Sequence, residues 1–247
     1  MSGTVTVARK KGPRTYQEDF HFFAPIEQHG ISGWLLAVMD GHGGKEVAQF
    51  SAREIPHLFE LRSAEHAEEA LKKLVQKLHA GTRHLEAGST LSLVLILEQE
   101  KRAVVAVLGD SPVVIFDTNG KQYVSPEHNV RSNPAELAAA ESRGASYSLG
   151  YIYSPMSTRG LQLSRALGNA SLDSILSRKP DVYTVSEPAW VLVASDGLMD
   201  PGHGINQETF IPALKMFAEA RATAKELMVW AEKIGLIDNA TAIVWNQ

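Results

Sequence analysis

The apolar positions along the chain follow two periods, and the changes between them predict the order of helices and strands. Residues 34–39 form a short apolar run that stops at a glycine-rich turn, which is typical of a buried strand. Residues 45–61 and 64–84 then carry apolar positions at helical spacing. Shorter segments with apolar runs or a period of two predict further strands over residues 4–8, 90–98, 102–108, 112–116, 121–124, 190–194 and 240–245.

The predicted helices come in pairs rather than singly between strands. A second pair, at residues 207–220 and 222–234, precedes the last strand. A doubly wound parallel sheet would alternate one strand with one helix, so this order favours antiparallel sheets. We therefore expect an α+β fold, namely a four-layer α-β-β-α sandwich of two antiparallel sheets, each covered on its outer side by a helix pair.

One segment, at about residues 125–159, differs from the rest of the chain. Proline and glycine interrupt it repeatedly, and only residues 134–142 have a helical pattern. We expect this segment to be an excursion from the sheets. Because the chain has no internal repeat and no low-complexity linker, we expect residues 1–247 to form a single domain.

Composition and charge exclude several classes of protein. The chain contains no cysteine, which excludes a disulfide scaffold, a thiolate zinc site and a cysteine nucleophile. Its 24 basic and 28 acidic residues give a net charge of −4, so no basic excess favours nucleic acid as a partner. No stretch approaches the 18 apolar residues of a membrane span, and residues 1–11 contain no apolar region typical of a signal peptide. We expect a soluble cytoplasmic protein, and a monomer because no long exposed apolar stripe is evident.

Acidic residues collect at the ends of the predicted strands and near the N-terminus. They are Asp40, Asp110, Asp196, Asp238 and the pair Glu18-Asp19. Any one of these motifs alone is an ordinary turn about as often as it is part of a functional site. Several carboxylates that converge, however, repel each other unless cations lie among them. Because oxygen ligands without cysteine or paired histidine suit hard ions, the expected metal is Mg²⁺ or Mn²⁺ rather than zinc.

Seven short motifs occur in a fixed order along the chain. They are Arg14-Thr-Tyr-Gln-Glu18-Asp19, Val38-Met-Asp40-Gly-His42-Gly-Gly44, Gly88-Ser-Thr90, Leu108-Gly-Asp110-Ser111, Ser164-Arg-Ala-Leu-Gly168, Ala194-Ser-Asp196-Gly197 and Asp238-Asn239. Together they resemble the metal-dependent PP2C-type (PPM) serine/threonine protein phosphatases. The resemblance covers almost the whole chain, whose length is similar to that of a minimal bacterial-type catalytic domain.

This resemblance implies an enzyme that hydrolyses phosphoserine and phosphothreonine in phosphorylated proteins, by direct attack of a hydroxide that bridges two Mn²⁺ or Mg²⁺ ions. Asp40 is then the carboxylate that bridges the ions, with the carbonyl of Gly41 as a neighbouring ligand. The implied ligands of the first ion are Asp196 and Asp238, and those of a third ion are Asp110 and Asp196. The acidic pair Glu18-Asp19 is implied to hold metal-bound waters.

Two further roles follow from the same resemblance. Arg14 is the implied phosphate-binding arginine, and its planar guanidinium suits two phosphoryl oxygens. His42 is the implied general acid, which would protonate the departing serine or threonine oxygen. Residues 125–159 correspond to the flap that borders the substrate site.

Three residues depart from the family pattern. Pro112 follows Ser111 where arginine is common, Asn169 follows Gly168 where aspartate is usual, and Met199 stands where tryptophan is frequent. None of them removes an implied metal ligand. Two alternatives stay open: a phosphatase of small metabolites, and a non-catalytic relative that binds phosphoproteins. The intact carboxylates favour an enzyme over the second alternative.

Eight histidines other than His42 show no metal-ligand spacing. We expect each of them at the surface or in a capping position: His21, His29, His57, His66, His79, His84, His128 and His203.

Overall fold

The computed structural model describes residues 3–199 and 207–247, and its framework is two five-stranded antiparallel sheets. In chain order the strands are β1 (Thr4–Lys10), β2 (Phe20–Gln28), β3 (Ile31–Met39), β4 (Gly41–His42), β5 (Gly88–Ser89), β6 (Leu91–Leu97), β7 (Arg102–Leu108), β8 (Val113–Asp117), β9 (Gln122–Val124), β10 (Ser146–Ser148), β11 (Tyr151–Tyr153), β12 (Gly160–Leu161), β13 (Leu167–Gly168), β14 (Asp181–Ser186), β15 (Pro188–Ala194) and β16 (Ala240–Asn246). One sheet has the order β1-β16-β15-β8-β9, and the other has the order β14-β7-β6-β3-β2.

The helices are α1 (Glu46–Leu58), α2 (Ala67–Thr82), α3 (Pro134–Ser142), α4 (Asp196–Met199), α5 (Gln207–Glu219) and α6 (Ala224–Ile234). Two short 3₁₀ turns span Ala64–His66 and Ala170–Leu172. In the described part of the chain, no helix has the length and apolar character needed to cross a membrane.

Alternation along the central strands builds the layers. In β3, Leu35 and Ala37 pack with α1 and α2, while Leu36 and Val38 face the other sheet. In β16, Ile243 likewise faces the space between the sheets. Separate apolar clusters therefore lie outside one sheet, between the sheets, and outside the other sheet under α4, α5 and α6. The predicted four-layer sandwich of antiparallel sheets is confirmed.

Several element bounds differ from the sequence prediction. The first helix ends at Leu58 rather than at residue 61, and a 3₁₀ turn replaces the predicted first turn of α2. The edge strands β2 and β14 were not predicted. Both are only partly buried, so their side chains show no clean alternation, and Pro25 lies within β2.

The segment after β9 has a small core of its own. It contains α3, which has the predicted bounds, and the three-stranded sheet β10-β11-β12. Ala140 and Ile152 pack there with residues further along the chain, including Leu163 and Leu176. This structural unit therefore continues past Arg159, where the sequence pattern placed its end.

Candidate functional site

An open cleft of about 560 Å³ contains most of the residues assigned to a site from the sequence. Its wall includes Arg14, Glu18, Asp40, Gly41, His42, Asp110, Asp196 and Asp238. The remaining member, Asp19, is fully buried. Tyr151 and residues 160–163 of the segment after β9 also line the cleft. The structure therefore brings residues from both ends of the chain to one opening.

Strand direction explains why these carboxylates meet. Both β3 and β7 are antiparallel to β6, which lies between them, so β3 and β7 run in the same direction and end at the same edge. Asp40 directly follows β3, and Asp110 follows β7 after a glycine. In the facing sheet, β15 ends next to the start of its antiparallel neighbour β16. Asp196 and Asp238 lie at these two strand ends.

Asp40 lies among other acidic side chains. Its backbone N–H donates a hydrogen bond to Thr90 Oγ1 at 3.0 Å, which fixes the turn after β3. Burial, followed by the charges of Asp19 and Asp196, raises the pKa of Asp40 well above its ordinary value. The carboxyl groups of Asp40 and Asp196 are in hydrogen-bond contact. Such a contact requires a proton or a cation between the two oxygens.

Asp19 has one satisfied and one unsatisfied carboxylate oxygen. Oδ2 accepts hydrogen bonds from Ser195 Oγ at 2.8 Å and from Thr241 Oγ1 at 2.7 Å. Oδ1 is buried and has no hydrogen-bond partner among the described residues. Burial raises the pKa of Asp19, because the ionised form loses its hydration there. An unpartnered buried carboxylate oxygen is available to a proton, a bound water or a cation.

The donor set fits a hard divalent cation. Asp19, Asp40, Asp110 and Asp196 interact electrostatically at one end of the sandwich, and they offer only oxygen ligands. Burial, followed by the charge of Asp196, raises the pKa of Asp110 to about 7. No three acidic, histidine or cysteine side chains in residues 3–199 and 207–247 already form a metal-binding cluster. The fit therefore rests on charge, donor chemistry and the unsatisfied Asp19 oxygen.

The loop that carries Arg14 is fixed by one amide side chain. Nδ2 of Asn239 donates hydrogen bonds to the carbonyl oxygens of Lys11 at 2.8 Å and Tyr16 at 3.0 Å. Its Oδ1 accepts a hydrogen bond from the N–H of Glu18 at 2.7 Å. These three bonds hold residues 11–18 against the start of β16.

Arg14 and Glu18 contact neighbouring parts of the cleft. Nη2 of Arg14 donates to Oδ2 of Asp238 at 2.6 Å, and the arginine side chain is about half exposed. Oε1 of Glu18 accepts a hydrogen bond from the N–H of Gly44 at 2.7 Å. Arg14 is thus held beside a predicted metal ligand, while Glu18 stabilises the glycine turn that follows His42.

His42 is paired with a residue far away in the sequence. Its Nε2–H donates a hydrogen bond to Oδ1 of Asn169 at 3.0 Å. Burial lowers the pKa of His42, so its neutral form is favoured. A Cβ atom on Gly88 would lie 2.1 Å from Asn169 Oδ1 and 2.2 Å from His42 Nε2. Only glycine therefore fits beneath this pair.

Comparison with known proteins identifies the family of this chain. The family model "Protein phosphatase 2C" matches residues 4–239. A curated relative, the probable protein phosphatase 2C 59 of Oryza sativa subsp. japonica, is 27% identical over 96% of this chain and 73% of its own length. The chain belongs to the protein phosphatase 2C family.

Two solved structures share the phosphatase 2C fold with this chain. A sex-determining protein of C. elegans is 24% identical with a TM-score of 0.78, over 100% of this chain and 65% of that one. A serine-threonine phosphatase 2C from Toxoplasma gondii is 18% identical with a TM-score of 0.74, over 99% and 95%.

The three departures from the phosphatase 2C pattern have different surroundings. Asn169 contacts His42 directly, and its backbone adopts a positive φ of 55°. The carbonyl of Pro112 accepts a hydrogen bond from the N–H of Ala194, so it joins two strands. Met199 is buried in the apolar cluster beneath α6. Only the departure at Asn169 therefore reaches the site.

One expectation about the histidines was wrong. His128 is fully buried rather than at the surface, and both of its ring nitrogens form hydrogen bonds. Its partners are Gly109 and Asp181, which lie 19 and 53 residues away in the sequence. No local pattern indicates such partners, which is why the sequence did not identify this residue. His203 lies outside the described residues.

Proposed function

We propose that this phosphatase 2C chain hydrolyses phosphoserine and phosphothreonine in phosphorylated proteins, in a reaction that depends on Mn²⁺ or Mg²⁺. The observation that carries the proposal is the cleft itself, in which an arginine, a histidine and a group of carboxylates share one opening. The membership of the family supports the same reaction. Carboxylates that are crowded and buried need a compensating cation, and the substrate supplies none.

The proposed ligands of the cations are four carboxylates of the cleft, with the Gly41 carbonyl beside them: Asp40, Asp110, Asp196 and Asp238. Glu18 and the buried Asp19 are proposed to hold metal-bound waters. When bound, Mn²⁺ or Mg²⁺ would supply charge compensation and an activated water for attack on phosphorus.

Arg14 is proposed to bind the phosphoryl group of the substrate. Its guanidinium already lies at the cleft wall, 2.6 Å from the Asp238 carboxylate, so its position is set before substrate arrives. A planar fork of N–H donors suits two phosphoryl oxygens and neutralises part of their charge. Asn239 supports this placement, because it holds the loop of residues 11–18.

His42 is proposed to protonate the leaving group. In the overall reaction the ester P–O bond breaks, a P–O bond to water forms, and the serine or threonine oxygen leaves as an alkoxide that takes up a proton. An alkoxide is a poor leaving group, so a proton donor beside it accelerates the reaction. Because Nε2–H is directed at Asn169, donation to the substrate requires the second proton, on Nδ1.

Release of phosphate from a phosphothreonine peptide tests the proposal. We expect turnover with added Mn²⁺ and none in excess chelator, and Mn²⁺ should raise the Tm of the metal-free protein. Asp40→Asn should abolish turnover and keep the fold, checked by circular dichroism. Undiminished activity in chelator would contradict the metal dependence. Faster hydrolysis of small alkyl phosphoesters, whose leaving groups match that of phosphothreonine, than of the peptide would contradict the protein substrate.

A pair of substrates tests the role of His42. His42→Ala should lower kcat for the phosphothreonine peptide by roughly 10²–10⁴-fold. The loss should be much smaller for p-nitrophenyl phosphate, whose leaving group needs no proton. His57→Ala, at an exposed position in α1, is the matched control and should change neither rate. Equal losses on both esters would show that His42 is not the acid.

A further inference from the structure

A chain of polar side chains connects α3 to the turn that carries Asp110. It begins at Glu136 in α3, continues through Arg165 and Asp181, and ends at His128. The side chains of Glu136, Arg165 and His128 are only 10%, 17% and 1% exposed. None of these residues lines the cleft. The proposed reaction therefore assigns them no direct part, and their arrangement needs another explanation.

At one end of this row of polar side chains, His128 forms two hydrogen bonds with the backbone of Gly109. The backbone N–H of His128 donates to the Gly109 carbonyl at 3.1 Å, and the Gly109 N–H donates to His128 Nδ1 at 3.0 Å. A ring nitrogen that accepts carries no proton, so the proton lies on Nε2 and is donated to Asp181 Oδ2 at 3.0 Å. Gly109 has a φ of +113°, and a Cβ there would lie 2.7 Å from Thr90.

Asn129, which follows His128 in the sequence, contacts Asp110 itself. Nδ2 of Asn129 donates a hydrogen bond to Oδ2 of Asp110 at 3.0 Å. Residues 128 and 129 thus form three hydrogen bonds with residues 109 and 110. The direction of the Asp110 carboxylate consequently depends on where His128 and Asn129 lie.

At the other end, Arg165 joins the helix to the strand. Its Nε and Nη2 donate to the two carboxylate oxygens of Glu136 at 3.1 and 2.5 Å, and its Nη1 donates to Asp181 Oδ1 at 2.9 Å. Asp181 therefore uses one oxygen for Arg165 and the other for His128. The Glu136–Arg165 pair is largely shielded from water, whereas the Asp181 side chain is 40% exposed. A shielded ion pair adds little net stability compared with apolar residues of similar volume, but its bidentate geometry fixes the relative positions of the two side chains.

We propose that His128 and Asp181, together with Arg165, are positioning residues that hold the Asp110 carboxylate in the orientation in which it ligates a cation. The inference rests on the proposed function, because it assigns these residues to the metal site. Through Glu136 the same contacts tie the position of α3, and with it the segment beside the cleft, to the position of Asp110.

Asp181→Asn tests the proposal, because the amide keeps the size of the carboxylate but cannot accept from both His128 and Arg165. Mn²⁺ binding to the metal-free protein is measured by isothermal titration calorimetry. We expect affinity to fall by about tenfold or more, as for other residues that orient a metal ligand. Asp173→Asn is the matched control: Asp173 also pairs with an arginine, Arg178, at 2.9 Å, and its side chain is 59% exposed. Its Mn²⁺ affinity should stay unchanged.

The same substitution in an Asp110→Asn background separates positioning from general loosening. If Asp181 acts through Asp110, Asp181→Asn should cause no further loss of Mn²⁺ affinity in that background. Losses that multiply, or an unchanged affinity in the single variant, would overturn the inference while the wild type still binds Mn²⁺. A wild type that binds no Mn²⁺ would overturn the proposed function and the inference together.

One additional measurement and one substitute variant keep the test decisive. Hydrogen exchange of the Gly109 amide in the metal-free protein should be faster in Asp181→Asn than in Asp173→Asn, because the His128 ring loses its orientation. If Asp181→Asn fails to fold, Arg165→Lys takes its place with the same expected outcomes. A lysine keeps the charge but cannot bridge Glu136 and Asp181 with a planar fork.

Discussion

The crowded carboxylates predict that removing one of them stabilises the metal-free protein at alkaline pH. Burial and the charge of Asp196 raise the pKa of Asp110 from 3.8 to about 7. The folded protein therefore keeps a proton that the unfolded chain has released, and stability falls as the pH rises through this window. Near pH 5, the wild type has lost about 2 kcal/mol of its free energy of unfolding through this group. Above about pH 7, the loss reaches its full value of about 4 kcal/mol.

Asp110→Asn removes this dependence, because an amide does not titrate. We compare the free energy of unfolding of Asp110→Asn with that of the wild type, both in chelator. The advantage of the variant should be larger near pH 8 than near pH 5, by about 2 kcal/mol. Urea unfolding at the two pH values measures the difference. Asp173→Asn, at an exposed carboxylate, is the control and should show little change between them. An equal effect of Asp110→Asn at both pH values would refute the reasoning.

Two further predictions concern the surroundings of His42. Asn169→Asp places a negative charge at the acceptor of Nε2–H, which raises the pKa of His42. Its kcat for a phosphothreonine peptide should then persist to higher pH than in the wild type, whereas an unmoved pH profile would count against the acid role. Gly88→Ala forces His42 and Asn169 apart and should cost about 1–3 kcal/mol of stability, measured by urea unfolding, together with most of the peptide kcat.

Much of the fold could be predicted because burial imposes the period of the secondary structure. Where β3, β6 and β7 lie between other layers, the chain is apolar and the strands were found. The edge strands β2 and β14 are partly exposed to solvent and carry both apolar and polar residues. Their sequences therefore show no regular alternation that would predict a strand. The end of α1 was misplaced because Phe59 and Leu61 are apolar and buried, so the apolar pattern continues after the backbone has become extended at Phe59.

In the site, too, residues that belong to short sequence motifs could be predicted, whereas contacts between residues distant in the sequence could not. Asp40, Asp110 and Asp196 were found because a carboxylate beside a glycine at a strand end is visible in a few consecutive residues. The contact between His42 and Asn169 joins positions 127 residues apart, and that between His128 and Asp181 joins positions 53 apart. Such partners are set by the packing of whole elements, which no short motif encodes.

The replacement at Asn169 shows why this distinction matters for chemistry. From the sequence it is a minor departure beside Gly168, because it removes no metal ligand. In the structure, its neutral amide is the acceptor for His42, where a carboxylate would favour the imidazolium. Burial lowers the pKa of His42, and the hydrogen bond to the Asn169 amide opposes this decrease without reversing it. The fraction of enzyme able to protonate an alkoxide should therefore fall earlier, as the pH rises, than in a relative with aspartate at this position.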